Sequence, residues 1–343
     1  MRRVLAWIAG PALAAFFLWL CFRGVDLAEL WQVVRHVDPL LLGLSVASVF
    51  AHLGLRSWRW RTLLAPVAPD VPYRELLSAV SIGYMASLLP GRVGEVLRPA
   101  LLSRRTGTPF AAALATVGVE RAVLDLLAIV VLGGGALLLP PGLSGVGAHA
   151  DPELVAFLRV LGGGLLAGGL AALAIVTWLA RDRERWEERF RRFAEGEGAV
   201  FLRRPAGFVA GLFPGLGAFA TMRGLAAVLA ETFVIWGVIA AGIQAGIASC
   251  GVTLAPFSAL VMLPILAVGI GIPTPGGTGS YHAAMTWGLS GLFGTPRVLA
   301  GAAGLVVHAF TWLPVLAAGG LFVALGGLAR GEAAAVPAGE AAP

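Results

Sequence analysis

Hydrophobic residues occur along this chain in long runs that are separated by short polar segments. Most runs are as long as the roughly 20 residues that an α-helix needs to cross a bilayer. The runs lie at residues 4–22, 40–63, 73–106, 110–139, 153–180, 223–248, 255–292 and 298–328. Glycine and proline interrupt 73–106 and 255–292, which predicts two broken or re-entrant helical hairpins. The pattern therefore predicts an all-α, polytopic membrane protein with about six full spans.

The composition supports the same class of protein. Of the 343 residues, 58% are hydrophobic and only 13% are charged, whereas charged residues make up about 25% of a typical soluble domain. The net charge is +6 and every basic residue is an arginine. These arginines flank or interrupt apolar runs, so we expect membrane topology rather than nucleic-acid binding to explain them.

The distribution of arginine predicts the orientation in the membrane. Arg2 and Arg3 place the N-terminus in the cytoplasm, the loop at 141–152 has no Lys or Arg and is predicted to be external, and 181–204 is rich in arginine. Both termini are then cytoplasmic, and the two broken hairpins enter from opposite sides. We expect one transmembrane domain at 1–330, with halves at about 40–140 and 223–328, a cytoplasmic loop at about 181–222 and a disordered tail at 331–343.

The two broken segments share a motif and its context. Pro90-Gly91-Arg92-Val93-Gly94-Glu95 corresponds to Pro275-Gly276-Gly277-Thr278-Gly279-Ser280, and a Gly-Thr-Pro triplet follows each after an apolar stretch. This predicts an inverted repeat. A helix that resumes after such a break presents free backbone N–H groups, which suit a phosphate or carboxylate. A break that serves only as a packing kink is the alternative.

Charged residues occur inside the predicted apolar region of the first half. Arg92, Glu95 and Arg98 follow the first break at helical spacing, and Glu120, Arg121 and Asp125 lie within 110–139. A charge near the middle of a bilayer costs at least about 2.5–3.5 kcal/mol, so it normally faces a partner or a watery path. The pattern predicts a positively charged pocket for an anionic headgroup. A purely structural network of ion pairs is the alternative, and both can hold together.

The second half carries histidines at the corresponding places. His282 follows Gly279 and His308 lies in the last apolar run, so a proton-coupled step is one hypothesis and a buried core histidine is the other. No metal site or cofactor is predicted. The chain also lacks HExxH, P-loop and GxSxG motifs, from which we predict that it is not an enzyme.

The motifs resemble those of the lysylphosphatidylglycerol synthase transmembrane-domain family, which is also described as flippase-like. The resemblance rests on Arg56-Ser-Trp-Arg59-Trp-Arg61, on PGRxGExxR at 90–98, on ERxxxD at 120–125 and on Pro275-Gly-Gly-Thr-Gly279. It implies movement of a lipid across the bilayer, by a stand-alone member without the soluble synthase domain. It also implies functional roles for the charged residues of both first-half motifs. The second half departs from relatives, which tend to have Glu at 282 and Arg at 308.

The predicted function is transport of an anionic phospholipid or a polyprenyl-phosphate-linked lipid between leaflets of a bacterial or archaeal plasma membrane. Arg92, Arg98 and Arg121 would contact the phosphate. Glu95, Glu120 and Asp125 would orient these arginines, and the two proline–glycine loops would supply backbone donors. The predicted substrate-binding residues are Arg59, Pro90, Gly91, Arg92, Gly94, Glu95, Arg98, Glu120, Arg121, Asp125, Pro275, Gly276, Gly277, Gly279, Tyr281, His282 and His308. The alternative is a membrane enzyme or accessory subunit in lipid-linked glycan or aminoacyl-lipid biosynthesis. Partners would be membrane lipids and, as open alternatives, a second copy or a lipid-biosynthesis enzyme.

Overall fold

The computed structural model describes residues 2–89, 93–146, 151–193, 195 and 213–335. These residues contain helices and no β-strand, which confirms the all-α prediction for the described part of the chain. The α-helices are α1 (Arg2–Phe22), α2 (Leu27–Arg35), α3 (Pro39–Leu64), α4 (Tyr73–Ala86), α5 (Val93–Thr106), α6 (Phe110–Val119), α7 (Leu126–Leu137), α8 (Pro141–Ser144), α9 (Pro152–Arg181), α10 (Arg183–Arg192), α11 (Met222–Ser249), α12 (Ser258–Gly271), α13 (Ser280–Phe293) and α14 (Arg297–Ala335).

Four of the described helices are long and apolar enough to cross a membrane. They are α3, α9, α11 and the part of α14 up to Gly326. The helices α6 and α7 also run continuously through a π-helical turn at Glu120–Asp125. The predicted number of six full spans stays a prediction. The last helix includes residues 331–335 of the predicted tail, and 336–343 lie outside the described residues.

The same order of helices occurs twice. A helix of 26 residues (α3) is followed by two helices of 14 residues each (α4 and α5) and then by the α6–α7 helix. Later, a helix of 28 residues (α11) is followed by two of 14 residues (α12 and α13) and then by α14. The pairs α4–α5 and α12–α13 are the interrupted segments of the sequence, and they are called the first and second hairpins below.

The two interruptions lie against each other. The second interruption contains a 3₁₀ turn at Pro275–Gly277, in which Gly276 has φ +58°. A Cβ atom at Gly276 would lie 2.7 Å from Cδ2 of Leu88, which follows the end of α4. The backbone of the second interruption, at Gly276, therefore lies against Leu88, which stands at the start of the first interruption.

Loop contacts define the two ends of the helical bundle. At one end the backbone N–H of Asp38 donates to Ser249 O, and that of Phe257 donates to Leu143 O. At the opposite end Arg105 pairs with Glu75 at 3.3 Å. The first of these ends joins the loops that the arginine pattern predicts to be external, and it is called the Asp38 end below.

The arms of the first hairpin approach each other through glycine. A Cβ atom on Gly94 would lie 1.9 Å from Gly83 O and 2.4 Å from Ser87 Oγ. Real side-chain carbons do not come so close to a backbone oxygen. Glycine at 94 is thus required by the close packing of α5 on α4.

We predict that Gly94→Ala destabilises the protein by about 1–3 kcal/mol or more, because backbone atoms must separate to make room for the methyl group. The measurement is thermal or denaturant unfolding in detergent. Gly43→Ala is the matched control, since a Cβ atom at Gly43 meets nothing within 4 Å, and it should unfold like the wild type. Equal stability of both variants would contradict the described contact between α4 and α5.

Candidate functional site

Asp125 is the centre of a buried cluster of charged side chains. Its carboxylate accepts hydrogen bonds from Arg56 Nη1 at 2.9 Å, Arg59 Nη2 at 2.8 Å and Arg121 Nη1 at 3.0 Å. The indole Nε1 of Trp236 also donates to Oδ1 at 3.1 Å. Only 5% of Asp125 is exposed. Two of these three cations, Arg56 and Arg59, belong to α3, so their pairs with Asp125 hold α3 against the α6–α7 helix.

Glu120 is the second carboxylate of the cluster and is fully buried. It lies 2.9 Å from Arg98 Nη2, 3.4 Å from Arg59 Nη2 and 3.5 Å from Arg56 Nη1. Arg56 and Arg59 thus lie between the two carboxylates. Arg98 brings α5, which follows the first interruption, into the same cluster.

The π-helical turn explains how Glu120 and Asp125 both pair with Arg56 and Arg59. Residues five apart lie on different faces of a regular α-helix, whose turn contains 3.6 residues. The turn at Glu120–Asp125 is wider, and its i→i+5 hydrogen bonding stacks residues five apart. Both carboxylates can therefore contact Arg56 and Arg59. The spacing in the sequence indicated only the Arg121–Asp125 pair, which the structure contains.

Arg98 is the least satisfied cation of the cluster. Its side chain is buried over the ring of Trp60, with the guanidinium carbon 4.9 Å from the ring centroid. Its Nε and Nη1 atoms have no hydrogen-bond partner among the described residues. A buried donor without a partner costs free energy, so this arginine is suited to an additional acceptor such as water or a phosphate oxygen.

Arg121 and Glu95 form the more accessible side of the cluster. Their side chains are 27% and 29% exposed, and Arg121 Nε lies 3.5 Å from Glu95 Oε1. Arg121 also lies over the ring of Tyr84, 5.1 Å from its centroid, and Arg56 lies 5.5 Å from the same centroid. Tyr84 belongs to α4, so both arms of the first hairpin contribute to the site.

The structure brings together six of the predicted residues: Arg59, Glu95, Arg98, Glu120, Arg121 and Asp125. Gly94 contributes close packing of the hairpin. Pro90, Gly91 and Arg92 lie outside the described residues.

The sequence prediction missed Arg56, Trp60, Tyr84 and Trp236 as members of the site. Arg56, Arg59 and Arg61 lie in one arginine-rich stretch at the end of an apolar run, where arginine also marks topology, but Arg56 and Arg59 are buried while Arg61 is exposed. Their spacing of three residues, which places both on one helix face, was the available signal.

The predicted residues of the second half form a separate group around the second interruption. His308 Nε2 lies 3.0 Å from Gly276 O, and Trp312 Nε1 donates to the same oxygen at 3.1 Å. His282 Nδ1 accepts from the backbone N–H of Gly279 at 3.1 Å. Tyr281 lies beside His308, with ring centroids 5.1 Å apart. Gly277, like Gly276 and Gly279, has a positive φ angle, and Pro275 begins the 3₁₀ turn.

Among the described residues, no group of three or more His, Cys, Asp or Glu side chains is arranged to hold a metal ion. The arginine–carboxylate cluster is suited to anions, because its carboxylates are already engaged by guanidinium groups.

The helices and the buried cationic cluster define a polytopic helical membrane protein with a polar site inside an apolar bundle. The chain belongs to the family described as the lysylphosphatidylglycerol synthase TM region, whose model matches residues 7–319. The resemblance drawn from the motifs is thereby confirmed. Membership of this family supports the interpretation of the chain as a lipid-related membrane protein.

The chain is also similar to a curated protein, Glycosyltransferase AglD of Haloferax volcanii. The two are 27% identical over 332 residues, which cover 88% of this chain and 51% of the relative. The chain thus spans about half the length of that protein. No solved structure matches this chain.

The prediction that this chain is not an enzyme is contradicted by the similarity to a protein named as a glycosyltransferase. The prediction relied on the absence of HExxH, P-loop and GxSxG motifs. Those motifs belong to particular catalytic mechanisms, and a site built from membrane-embedded arginines and carboxylates contains none of them. Their absence therefore gave no ground for excluding catalysis.

We predict that Asp125→Asn destabilises the protein by about 3–5 kcal/mol, because the buried guanidinium groups of Arg56 and Arg59 and the partly exposed one of Arg121 lose a shared negative charge. Unfolding in detergent, followed by tryptophan fluorescence, measures the loss. Glu188→Gln is the control: Glu188 pairs with Arg191 and Arg192 on the exposed helix α10, and exposed pairs contribute little. If both variants unfolded like the wild type, Asp125 would not be the electrostatic centre of the bundle.

Proposed function

We propose that this chain moves the phosphate-bearing headgroup of an anionic phospholipid or a polyprenyl-phosphate-linked lipid between leaflets. The observation that carries the proposal is the buried cluster around Asp125 and Glu120, with the incompletely satisfied Arg98 inside it. A polar group in the bilayer core is costly unless it serves a pathway or is fully paired. Buried atoms of the cluster without a hydrogen-bond partner include donors of Arg98 and the carboxylate oxygens of Glu120, and the Arg98 donors are the ones that an anionic ligand would use.

The charge balance of the cluster favours an anion. Among the described residues it contains four arginines and three carboxylates: Arg56, Arg59, Arg98, Arg121, Glu95, Glu120 and Asp125. One positive charge remains in surroundings where electrostatic interactions are stronger than in water. A phosphate that approaches from the Arg121–Glu95 side would neutralise it and could accept hydrogen bonds from Arg98.

The hairpins support a path through the bilayer. A helix of 14 residues is about 21 Å long, which is shorter than the roughly 30 Å hydrocarbon core. We therefore propose that both hairpins are re-entrant and that the two halves form an inverted repeat. The contact of Leu88 with Gly276 supports an arrangement in which the interruptions meet inside the protein, where irregular backbone is tolerated.

The setting and partners follow from the same proposal. We place the chain in a bacterial or archaeal plasma membrane with both termini in the cytoplasm, as the arginine distribution predicts. Its immediate partners would be membrane lipids with anionic headgroups. A second copy of the chain or a lipid-biosynthesis enzyme is a further partner to be tested by co-purification.

A second candidate function is transfer of a sugar to or from a lipid-linked phosphate. The similarity to Glycosyltransferase AglD favours it. Both functions require recognition of a lipid phosphate at the membrane, so the same arginines would serve either. They differ in the product, because transport leaves the lipid unchanged and transfer alters its headgroup.

We predict that the protein in liposomes accelerates leaflet exchange of a labelled anionic phospholipid or polyprenyl phosphate, read by a membrane-impermeant quencher. Arg98→Gln should slow exchange about ten- to a hundredfold. Hydrogen bonds to charged groups contribute about 1.5–3 kcal/mol, and each 1.4 kcal/mol is tenfold. Glu120 would keep Arg56 and Arg59 as partners, so this variant should fold.

Arg104→Gln is the matched control for the exchange assay. Arg104 lies on the same helix as Arg98 but is exposed, so its loss should leave exchange near the wild-type rate. Protein-dependent exchange that Arg98→Gln does not alter would move the headgroup path away from this cluster. Absence of exchange for all tested lipids would contradict transport.

For the second candidate, we predict a mass shift of a polyprenyl-phosphate lipid when the purified chain is incubated with it and a sugar donor. Donors would include nucleotide sugars and polyprenyl-phosphate sugars, and products would be measured by mass spectrometry. Arg98→Gln should reduce the amount of mass-shifted product, whereas Arg104→Gln should leave that amount near the wild-type level. An unchanged lipid with every donor, from a sample that performs leaflet exchange, would favour transport over sugar transfer.

A further inference from the structure

An apolar groove of about 820 Å³ lies between α1 and the second hairpin. Phe17 and Leu20 of α1 form one wall, and Val268 of α12 and Trp287 of α13 contribute the others. Packing of α1 against the second interruption is close, since a Cβ atom on Gly279 would lie 2.4 Å from Ala14 O. The groove is separate from the arginine–carboxylate cluster, whose residues do not line it.

The length of the groove along α13 is close to the thickness of one bilayer leaflet. Its lining residues on α13 extend from Ser280, beside the second interruption, to Gly291 near the end of that helix. These residues are eleven positions apart, which corresponds to about 16 Å at 1.5 Å per residue. Half of the hydrocarbon core is about 15 Å. The groove therefore matches the length over which one acyl chain extends in a leaflet.

Unpaired polar groups occur toward one end of this otherwise apolar groove. Arg297, in the first turn of α14, is the single charged residue that lines it, and it forms no ion pair among the described residues. Ser290 also lines the groove, and its buried Oγ has no hydrogen-bond partner in the described part of the chain. By contrast, Cys21 and Thr286 satisfy each other at 3.1 Å.

The position of Arg297 identifies the leaflet. Gly145 approaches both Ser258 and the ring of Phe293, the last residue of α13. The segments of Leu143 and Phe257 meet at the Asp38 end. Arg297 follows Phe293 by four positions, so it belongs to this end as well.

We infer that the groove binds one anionic phospholipid from the leaflet at the Asp38 end, with an acyl chain along α13 and the phosphate at Arg297. An apolar groove of this size is poorly hydrated, and the surrounding membrane offers acyl chains at high concentration. The lone cation at its polar end selects a lipid with an anionic headgroup. This site goes beyond the proposed function, since it can be occupied whether or not the protein exchanges or glycosylates lipids.

The first test is native mass spectrometry of the full chain with an equimolar mixture of phosphatidylglycerol and phosphatidylcholine that carry identical acyl chains. The wild type should retain phosphatidylglycerol preferentially. Arg297→Gln should lower that preference about fivefold, because an arginine near a membrane surface contributes about 1 kcal/mol to anionic-lipid attraction, which is a factor of five. Arg159→Gln is the matched control, being an exposed arginine of α9 outside the groove.

The second test fills the groove without disturbing the helices. A Cβ atom at Gly291 would meet no atom closer than Trp287 Nε1 at 3.8 Å, so Gly291→Phe can place its ring in the groove. Retention of both lipids should then fall to the background of the detergent-washed sample. Gly164→Phe is the control, since a Cβ atom there meets nothing within 4 Å, and it should retain lipid like the wild type.

The inference would be overturned if Arg297→Gln and Gly291→Phe both bound the two lipids as the wild type does. It would also be overturned if Gly291→Phe left lipid retention intact but converted a dimer into a monomer, since the occupant would then be a second copy. Leaflet exchange is measured separately. Loss of lipid retention in Gly291→Phe with exchange unaffected supports the groove independently, and failure of exchange in the wild type leaves the binding test intact.

Discussion

The fold of this chain depends on the neutralisation of arginine inside an apolar bundle. The carboxylates of Asp125 and Glu120 form ion pairs with arginines from three different helices: Arg56, Arg59, Arg98 and Arg121. Burial of any one of these charges alone would oppose folding. The helices α3, α5 and α6–α7 can therefore pack only in the register that completes the cluster. Apolar packing supplies most of the contact area, but it discriminates weakly between helix registers. The ion pairs form in only a few registers, because each needs two particular side chains to meet.

The cluster also links the fold to the proposed activity. A network in which every donor was paired would be a structural clamp alone, and that was the alternative to a binding pocket at the outset. The described network is intermediate: Asp125 is surrounded by donors, whereas Arg98 keeps Nε and Nη1 without partners. The same cluster can then hold α5 in place and offer a binding surface. Removal of a bound anion would leave Arg56, Arg59 and Arg121 paired with Asp125.

Several parts of this arrangement were predictable from sequence, for identifiable reasons. Hydrophobic runs and interruptions by proline and glycine depend on local composition, so the long apolar helices and the two interrupted segments at 73–106 and 255–292 were predicted close to their observed positions. The charges at 95–98 and 120–125 were conspicuous because lipid does not tolerate them. The π-helical turn was not predictable, since it has no spacing signature and its geometry depends on the arginines it contacts. Arg56 was missed for a related reason, because arginine near the end of a span also marks topology.

The two interruptions are surrounded by different chemistry. In the first half, charged side chains follow the interruption, whereas in the second half the carbonyl of Gly276 is engaged by His308 and Trp312. A neutral hydrogen-bonded turn holds its shape without counter-charges, so the second hairpin can remain apolar along α12 and α13 and present the groove beside α1. Among the residues that line this groove, Arg297 at the Asp38 end is the single charged one. A lipid headgroup at that end would meet the exposed Arg297, whereas the buried arginines belong to the first hairpin and the helices that pack on it, so the contact of Leu88 with Gly276 is where the two interruptions come together.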